Sequence, residues 1–144
     1  MLVQQILTSK TTSGVFTLSP NATLSEAATL LSEKRIGAII VSKDGKHPAG
    51  ILSERDIVRE LGKRGVTCMT DTLDKVMTAK LITCARGDSA DSVMQKMTDG
   101  RFRHMPVLDG TEMIGLISIG DVVKARLSQL AMEKDALEGM IRGF

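Results

Sequence analysis

The sequence predicts an α/β fold of sandwich-like α+β character: two copies of a strand, helix, strand, strand, helix unit packed sheet to sheet about an approximate twofold axis, then a C-terminal helix. Three observations carry this expectation. The stretch GILSERD at 50–56 returns as GLISIGD at 115–121, so Gly50, Ser53 and Asp56 recur as Gly115, Ser118 and Asp121 at a constant shift of 65 residues. The apolar stripe Leu24, Ala27, Ala28 and Leu31, at helical spacing, returns as Ala90, Val93, Met94 and Met97 at a shift of 66. Finally, Phe102 and Val107 copy Ile36 and Val41 at that same shift.

In order, residues 3–7 (VQQIL) read as a short amphipathic turn and 8–14 as a polar connector. Residues 15–18 (VFTL) form a strand, and Pro20-Asn21 a turn. Thr23 with Glu26 three residues on marks a capped helix start. The run IGAIIV at 36–41 is continuous and rich in β-branched residues, as in a strand covered on both faces. Asp44-Gly45 turns the chain, Gly50 to Leu52 pair with that strand, and Ser53 opens a helix carrying Ile57, Val58 and Leu61 that Gly62 and Gly65 end.

A polar linker at 66–72 precedes the second copy. Leu73, Val76 and Met77 repeat Val3, Ile6 and Leu7 at a shift of 70, and Thr83 repeats Thr17 at 66. The shift falls to 65 after the turn at Asp109-Gly110. The expected boundaries are a leading segment and connector at 1–14, repeats at 15–65 and 81–127, a linker with leading turn at 66–80, and a C-terminal helix at 128–144. Leu127, Leu130 and Ala131, then Leu137, Met140 and Ile141, give that helix an apolar face to cover the second half or meet a second subunit.

At 144 residues the chain is long enough to bury about two-thirds of its unfolded surface without disulfide or metal. Cys68 and Cys84 have no partner at metal-ligand spacing, and the apolar runs are too short to span a bilayer. A cytoplasmic protein with no membrane partner and no metal is expected. Three phenylalanines without Tyr or Trp leave no aromatic platform for single-stranded nucleic acid, and a net charge of +2 implies no strong polyanion partner.

Each doubled junction aims a hydroxyl, a carboxylate and the first free N–H groups of a helix at one point, which suits a sugar diol followed by phosphate. The same Ser and Asp at i and i+3 also make a capping box that satisfies only the helix itself. Both readings fit the residues.

The doubled pattern, GAIIVSKDG then GILSERD and RHMPVLDG then GLISIGD, resembles the cystathionine β-synthase (CBS) domain pair, or Bateman module, in its small stand-alone bacterial form. The resemblance implies the fold above, frequent homodimers, and adenosyl ligands such as AMP, ADP, ATP, NAD(H) or S-adenosylmethionine in the clefts between repeats. Carried over by position, the ribose-binding carboxylates are Asp56 and Asp121 with hydroxyl partners Ser53 and Ser118, and Ile119 and Gly120 complete the second junction. Base-facing positions are Phe16 and Thr17 in one half and Ile82 and Thr83 in the other.

Phosphate would meet Arg103 and His104, with Arg55 at the first junction. Gly37 and Ala38 stand where the second half has Arg103 and His104, so the two sites are expected to be unequal. The implied function is a non-catalytic module that binds an adenine nucleotide, AMP or NAD(H) with ATP or ADP as variants, and acts on an effector protein in trans. The alternative is a ligand-free dimerisation scaffold. An enzyme using Ser118, His104 and Asp121 is disfavoured: there is no nucleophile elbow, and Ser53 and Asp56 have no matching histidine.

Overall fold

The computed structural model describes residues 1–10 and 15–141. Parts of the expected connector, at 11–14, and of the tail, at 142–144, lie outside the described residues. The chain divides into two compact units, one made of Gly14–Ile82 with Leu108–Ile114, the other of Met1–Ser13, Thr83–Val107 and Gly115–Phe144.

In the first of these, β1 (Thr17–Leu18) runs parallel to β2 (Ala38–Val41), with Thr17 opposite Ile40 and Leu18 opposite Val41. β2 is antiparallel to β3 (Gly50–Ser53), from Ala38 opposite Ser53 to Val41 opposite Gly50. All four residues of β2 are buried, as its unbroken apolar run requires. α2 (Leu24–Lys34) starts where the Thr23 hydroxyl accepts the Glu26 N–H at 3.2 Å, and it buries Leu24, Ala27 and Leu31. These pack with Ile39, Val41, Leu52, Ile57, Leu73 and Val76 into one core.

α3 (Glu54–Arg64) contains Gly62 and stops at Gly65, whose φ of 68° lies in the region that favours glycine. Two features here go beyond the sequence expectations. Val58 is 67% exposed, because Ile57 already occupies the core side and the next residue is rotated about 100° away. The segment expected as a polar linker is a 3-10 helix, Gly65–Thr70, anchored by the fully buried Cys68, which behaves as a small apolar side chain. α4 (Leu73–Val76) follows, with Leu73 and Val76 buried.

In the other unit, α1 (Val3–Ser9) buries Val3 and Ile6, and α5 (Ala90–Gly100) buries Ala90, Val93 and Met97 behind a Ser89 cap that accepts the Ser92 N–H at 3.0 Å. β4 (His104–Asp109) pairs with β5 (Glu112–Ser118), and α6 (Ile119–Ile141) runs on from β5. The strand expected at the start of this repeat is reduced to a single parallel bridge, Cys84 with Val107. In the first repeat the Ile40 N–H donates to the Phe16 carbonyl at 3.1 Å. Its counterpart in β4 is Pro106, which has no N–H, so that rung cannot form.

The leading segments dock by repeated bonds. Leu73 N–H donates to the Ala22 carbonyl and Leu24 N–H to the Asp71 carbonyl, both at 2.9 Å; Val3 N–H donates to Asp88 and Ala90 N–H to Met1, again at 2.9 Å. Each leading segment therefore clasps the first helix of the repeat that it does not precede.

Glycines 50 and 115 let these segments close. A Cβ on Gly50 would collide with Met77 Sδ and stand 3.0 Å from the Thr78 carbonyl oxygen; one on Gly115 would stand 2.6 Å from a Leu7 methyl. Gly50→Ala is therefore expected to lower unfolding stability by about 1–3 kcal/mol in urea titrations, the range for overpacking. Gly115→Ala should lose less, since only a side-chain tip opposes it. A Met77→Ala background should return part of the Gly50→Ala loss.

Candidate functional site

Both junctions close on themselves. In the first, Asp56 Oδ2 accepts the Ser53 N–H at 2.8 Å and the Ser53 hydroxyl at 3.1 Å, while the Ser53 Oγ accepts the Asp56 N–H. Its other oxygen, Oδ1, takes the Arg59 guanidinium at 2.8 Å. Asp56 is only 8% exposed, and both of its carboxylate oxygens are engaged. Glu54 N–H is tied to the Gly37 carbonyl at 3.0 Å, which fixes how α3 leaves the sheet.

The second junction repeats the cap with a different cation. Asp121 Oδ2 accepts the Ser118 N–H at 2.9 Å and pairs with Lys10 Nζ at 3.0 Å, while Ser118 Oγ accepts the Asp121 N–H at 3.1 Å. Lys10 also donates to the Leu116 carbonyl at 2.7 Å. Ile119 N–H is tied to the Arg103 carbonyl at 2.8 Å, the counterpart of the Glu54 bond. Asp121 Oδ1 makes no hydrogen bond among the described residues, and the side chain keeps 23% of its surface exposed. Gly120, exposed, replaces the bulk of Arg55 in the other junction.

The expected residues divide accordingly. Thr83, Arg103, His104, Ser118, Ile119, Gly120 and Asp121 belong to one unit; Phe16, Thr17, Ser53, Arg55, Asp56 and Ile82 belong to the other. Arg103 and Arg55 carry exposed side chains, and His104 opens β4 half-buried. Phe16 is partly covered by the Lys34 ammonium, 5.5 Å above its ring. Thr17 sits in β1, whereas Ile82 and Thr83 precede the single bridge of the second repeat.

Sequence reasoning missed both cations. Arg59 was accessible from its i+3 spacing to Asp56 on one helix. Lys10 lies more than a hundred residues before its partner, and no local pattern connects them.

Among the described residues no group of His, Cys, Asp and Glu is arranged to hold a metal ion, and no helix is long and apolar enough to cross a membrane. Both cysteines are free thiols, and burial, aided by the charge of Asp88, pushes the Cys84 thiol up to about 11.

The family model for the CBS domain matches residues 3–63 and 73–128, covering both repeats. The chain belongs to the CBS-domain family. The CBS domain-containing protein CBSX3, mitochondrial, of Arabidopsis thaliana is 36% identical over 125 residues, which is 84% of this chain but only 61% of that relative's length. The crystal structure of the CBS-domain containing protein ATU1752 from Agrobacterium tumefaciens superposes with a TM-score of 0.83 at 36% identity, over 88% of this chain and 99% of that one. The CBS domain protein PAE2072 from Pyrobaculum aerophilum, solved in complex with AMP, matches with a TM-score of 0.78 at 27% identity, over 92% and 99% of the two chains. The mixed α/β architecture with two small sheets and a C-terminal helix is that of CBS-domain pairs.

The electrostatics at Asp121 set a pH dependence. Burial raises its pKa, but the Ser118 N–H and the Lys10 ammonium outweigh burial and leave it below the usual 3.8. A carboxylate held lower in the folded than in the unfolded chain contributes stability above the unfolded value, lost as pH falls through the folded one. Asp121→Asn is therefore expected to be less stable than the parent protein at neutral pH, and the gap measured by denaturant titration should close as pH drops below 3.8.

Proposed function

We propose that the chain is a non-catalytic regulatory module, working in the cytoplasm, that binds an adenine nucleotide at the Ser118–Asp121 junction. The ligand class is AMP or NAD(H), with ADP or ATP as variants sharing the adenosyl end. Binding would favour one arrangement of the chain or its homodimer, which an effector protein in trans would read; a ligand shifts such an equilibrium only by its difference in affinity for the two states.

The carrying observation is the division of labour within the Asp121 carboxylate. Oδ2 closes the helix cap and meets Lys10, so the group stays ionised and oriented, while Oδ1 keeps its acceptor capacity beside exposed Gly120. An ionised carboxylate accepting from a ribose hydroxyl makes the stronger, charge-assisted kind of hydrogen bond. The N-terminus of the 23-residue α6, with Arg103 and His104 on the adjoining strand entry, supplies the positive end and cations that phosphate requires. AMP in the related PAE2072 crystal supports the same ligand class. Ser118, whose Oγ is engaged in the cap, has no role as a nucleophile in this reading.

A second reading, a ligand-free scaffold, draws on the first junction, where Asp56 has no oxygen left over.

Calorimetric titration with AMP, NAD and adenosine separates the two. Asp121→Ala should weaken all three ligands by roughly tenfold to a hundredfold, the loss of a hydrogen bond to a charged group. Arg103→Ala should weaken AMP and NAD more than adenosine. No heat with any ligand, and no 260 nm absorbance released from denatured protein, would select the scaffold.

A further inference from the structure

The duplication supplies each junction with the same two basic side chains, and the two junctions use opposite members of the pair. One lies on the helix three residues past the aspartate: Arg59 after Asp56, and Lys124 after Asp121 at the shift of 65. The other follows the leading segment: Lys10 three residues after Leu7, and Lys80 three after Met77 at the shift of 70. In the first repeat Arg59 pairs with Asp56 at 2.8 Å, while Lys80 is exposed and makes no ion pair among the described residues. In the second, Lys10 pairs with Asp121 at 3.0 Å, while Lys124 is exposed and makes none among them. The choice decides which carboxylate oxygen is covered. Lys10 shares Oδ2 with the cap, and Oδ1 of Asp121 accepts no hydrogen bond among the described residues. Arg59 instead donates to Oδ1 of Asp56, the oxygen that the cap leaves over.

We propose that Arg59 is an internal plug on a second nucleoside position. Its guanidinium holds the Asp56 oxygen that a ribose hydroxyl would otherwise meet, so the two junctions fill in order, Asp121 first and Asp56 only at higher ligand. This rests on the Ser118–Asp121 junction being a sugar site, and adds to it the residue that keeps the duplicate weaker. The plug is removable without dismantling the helix start. The Arg59 side chain is 49% exposed and releases into water, while Asp56 keeps its reciprocal cap bonds with Ser53. With Arg59 withdrawn, Lys80 stands at the register from which Lys10 pairs with Asp121. A half-exposed ion pair is a weak closure, so the penalty on the first repeat is roughly fivefold to tenfold in affinity. Salt screens such a pair and lowers that penalty.

The test is equilibrium dialysis of labelled adenosine against the full chain, with circular dichroism confirming that each variant is folded. Adenosine is uncharged, so neither loss of a cation nor added salt changes its general attraction to the protein. The parent should bind in two steps separated by roughly fivefold to tenfold, and Asp121→Ala should remove the tighter one. Arg59→Met, which keeps an unbranched stem without charge, should tighten the weaker step by that factor and leave the other in place. About 1 M NaCl should tighten the weaker step of the parent but not of Arg59→Met, a measurement on the parent that needs no variant to fold. Asp56→Asn added to Arg59→Met should weaken the regained step about tenfold. If Asp121→Ala removes nothing from the parent but Arg59→Met gains a step, the Ser118–Asp121 site fails and the plug stands. Two equal steps in the parent, a folded Arg59→Met with the parent's isotherm, a salt response shared by both proteins, or a gain indifferent to Asp56→Asn would each overturn the plug.

Discussion

A carboxylate that turns back on its own helix start governs both halves of this molecule. At Asp56 and Asp121 it accepts the N–H of the serine three residues earlier, while that serine's oxygen accepts the N–H of the aspartate. The reciprocal bonds satisfy donors that a helix cannot satisfy alone and fix the angle at which α3 and α6 leave their strands. The core side of each helix and the aim of any ligand-binding group at its start follow from that angle.

The same cap serves different ends in the two copies, and the difference lies in the cation. Arg59 sits one turn along α3 and takes the remaining oxygen of Asp56, completing an internal network. Lys10 arrives from another part of the chain and shares the oxygen that the cap already uses, so Oδ1 of Asp121 takes no hydrogen bond among the described residues. Duplication supplied two equivalent frames. Replacement of Arg55 by Gly120, and of the Arg59 contact by Lys10, made them chemically unlike.

Much of the fold was legible because duplication tests every reading twice. A helical stripe, a buried strand and a capped junction that reappear in register confirm one another, and the caps at Thr23, Ser53 and Ser118 follow from side-chain chemistry that acts over three residues. What was not legible depends on distance or on one atom. The Lys10 contact spans most of the chain, Val58 differs from its buried neighbour Ile57 only by rotation about the helix, and Cys68 turns a polar-looking stretch into part of the core. The lost rung beside Pro106 was present in the sequence as a residue without an N–H, but its effect shows only once the parallel partner is known. Of the candidate site, the serines and aspartates were placed by pattern, while the Asp121 oxygen that accepts no hydrogen bond among the described residues required coordinates.

The docking of α1 sets an order of events during synthesis. α1 finds its partners, Asp88 and Ala90, only after some eighty further residues have been made, a wait of roughly 5–15 s at ordinary elongation rates. Gly14–Ile82, by contrast, holds its own α4 clasp and has most of its unit complete by then. Through that interval Val3 and Ile6 wait without the strand and helix they finally pack with, so residues made before the first repeat reach their native surroundings after it.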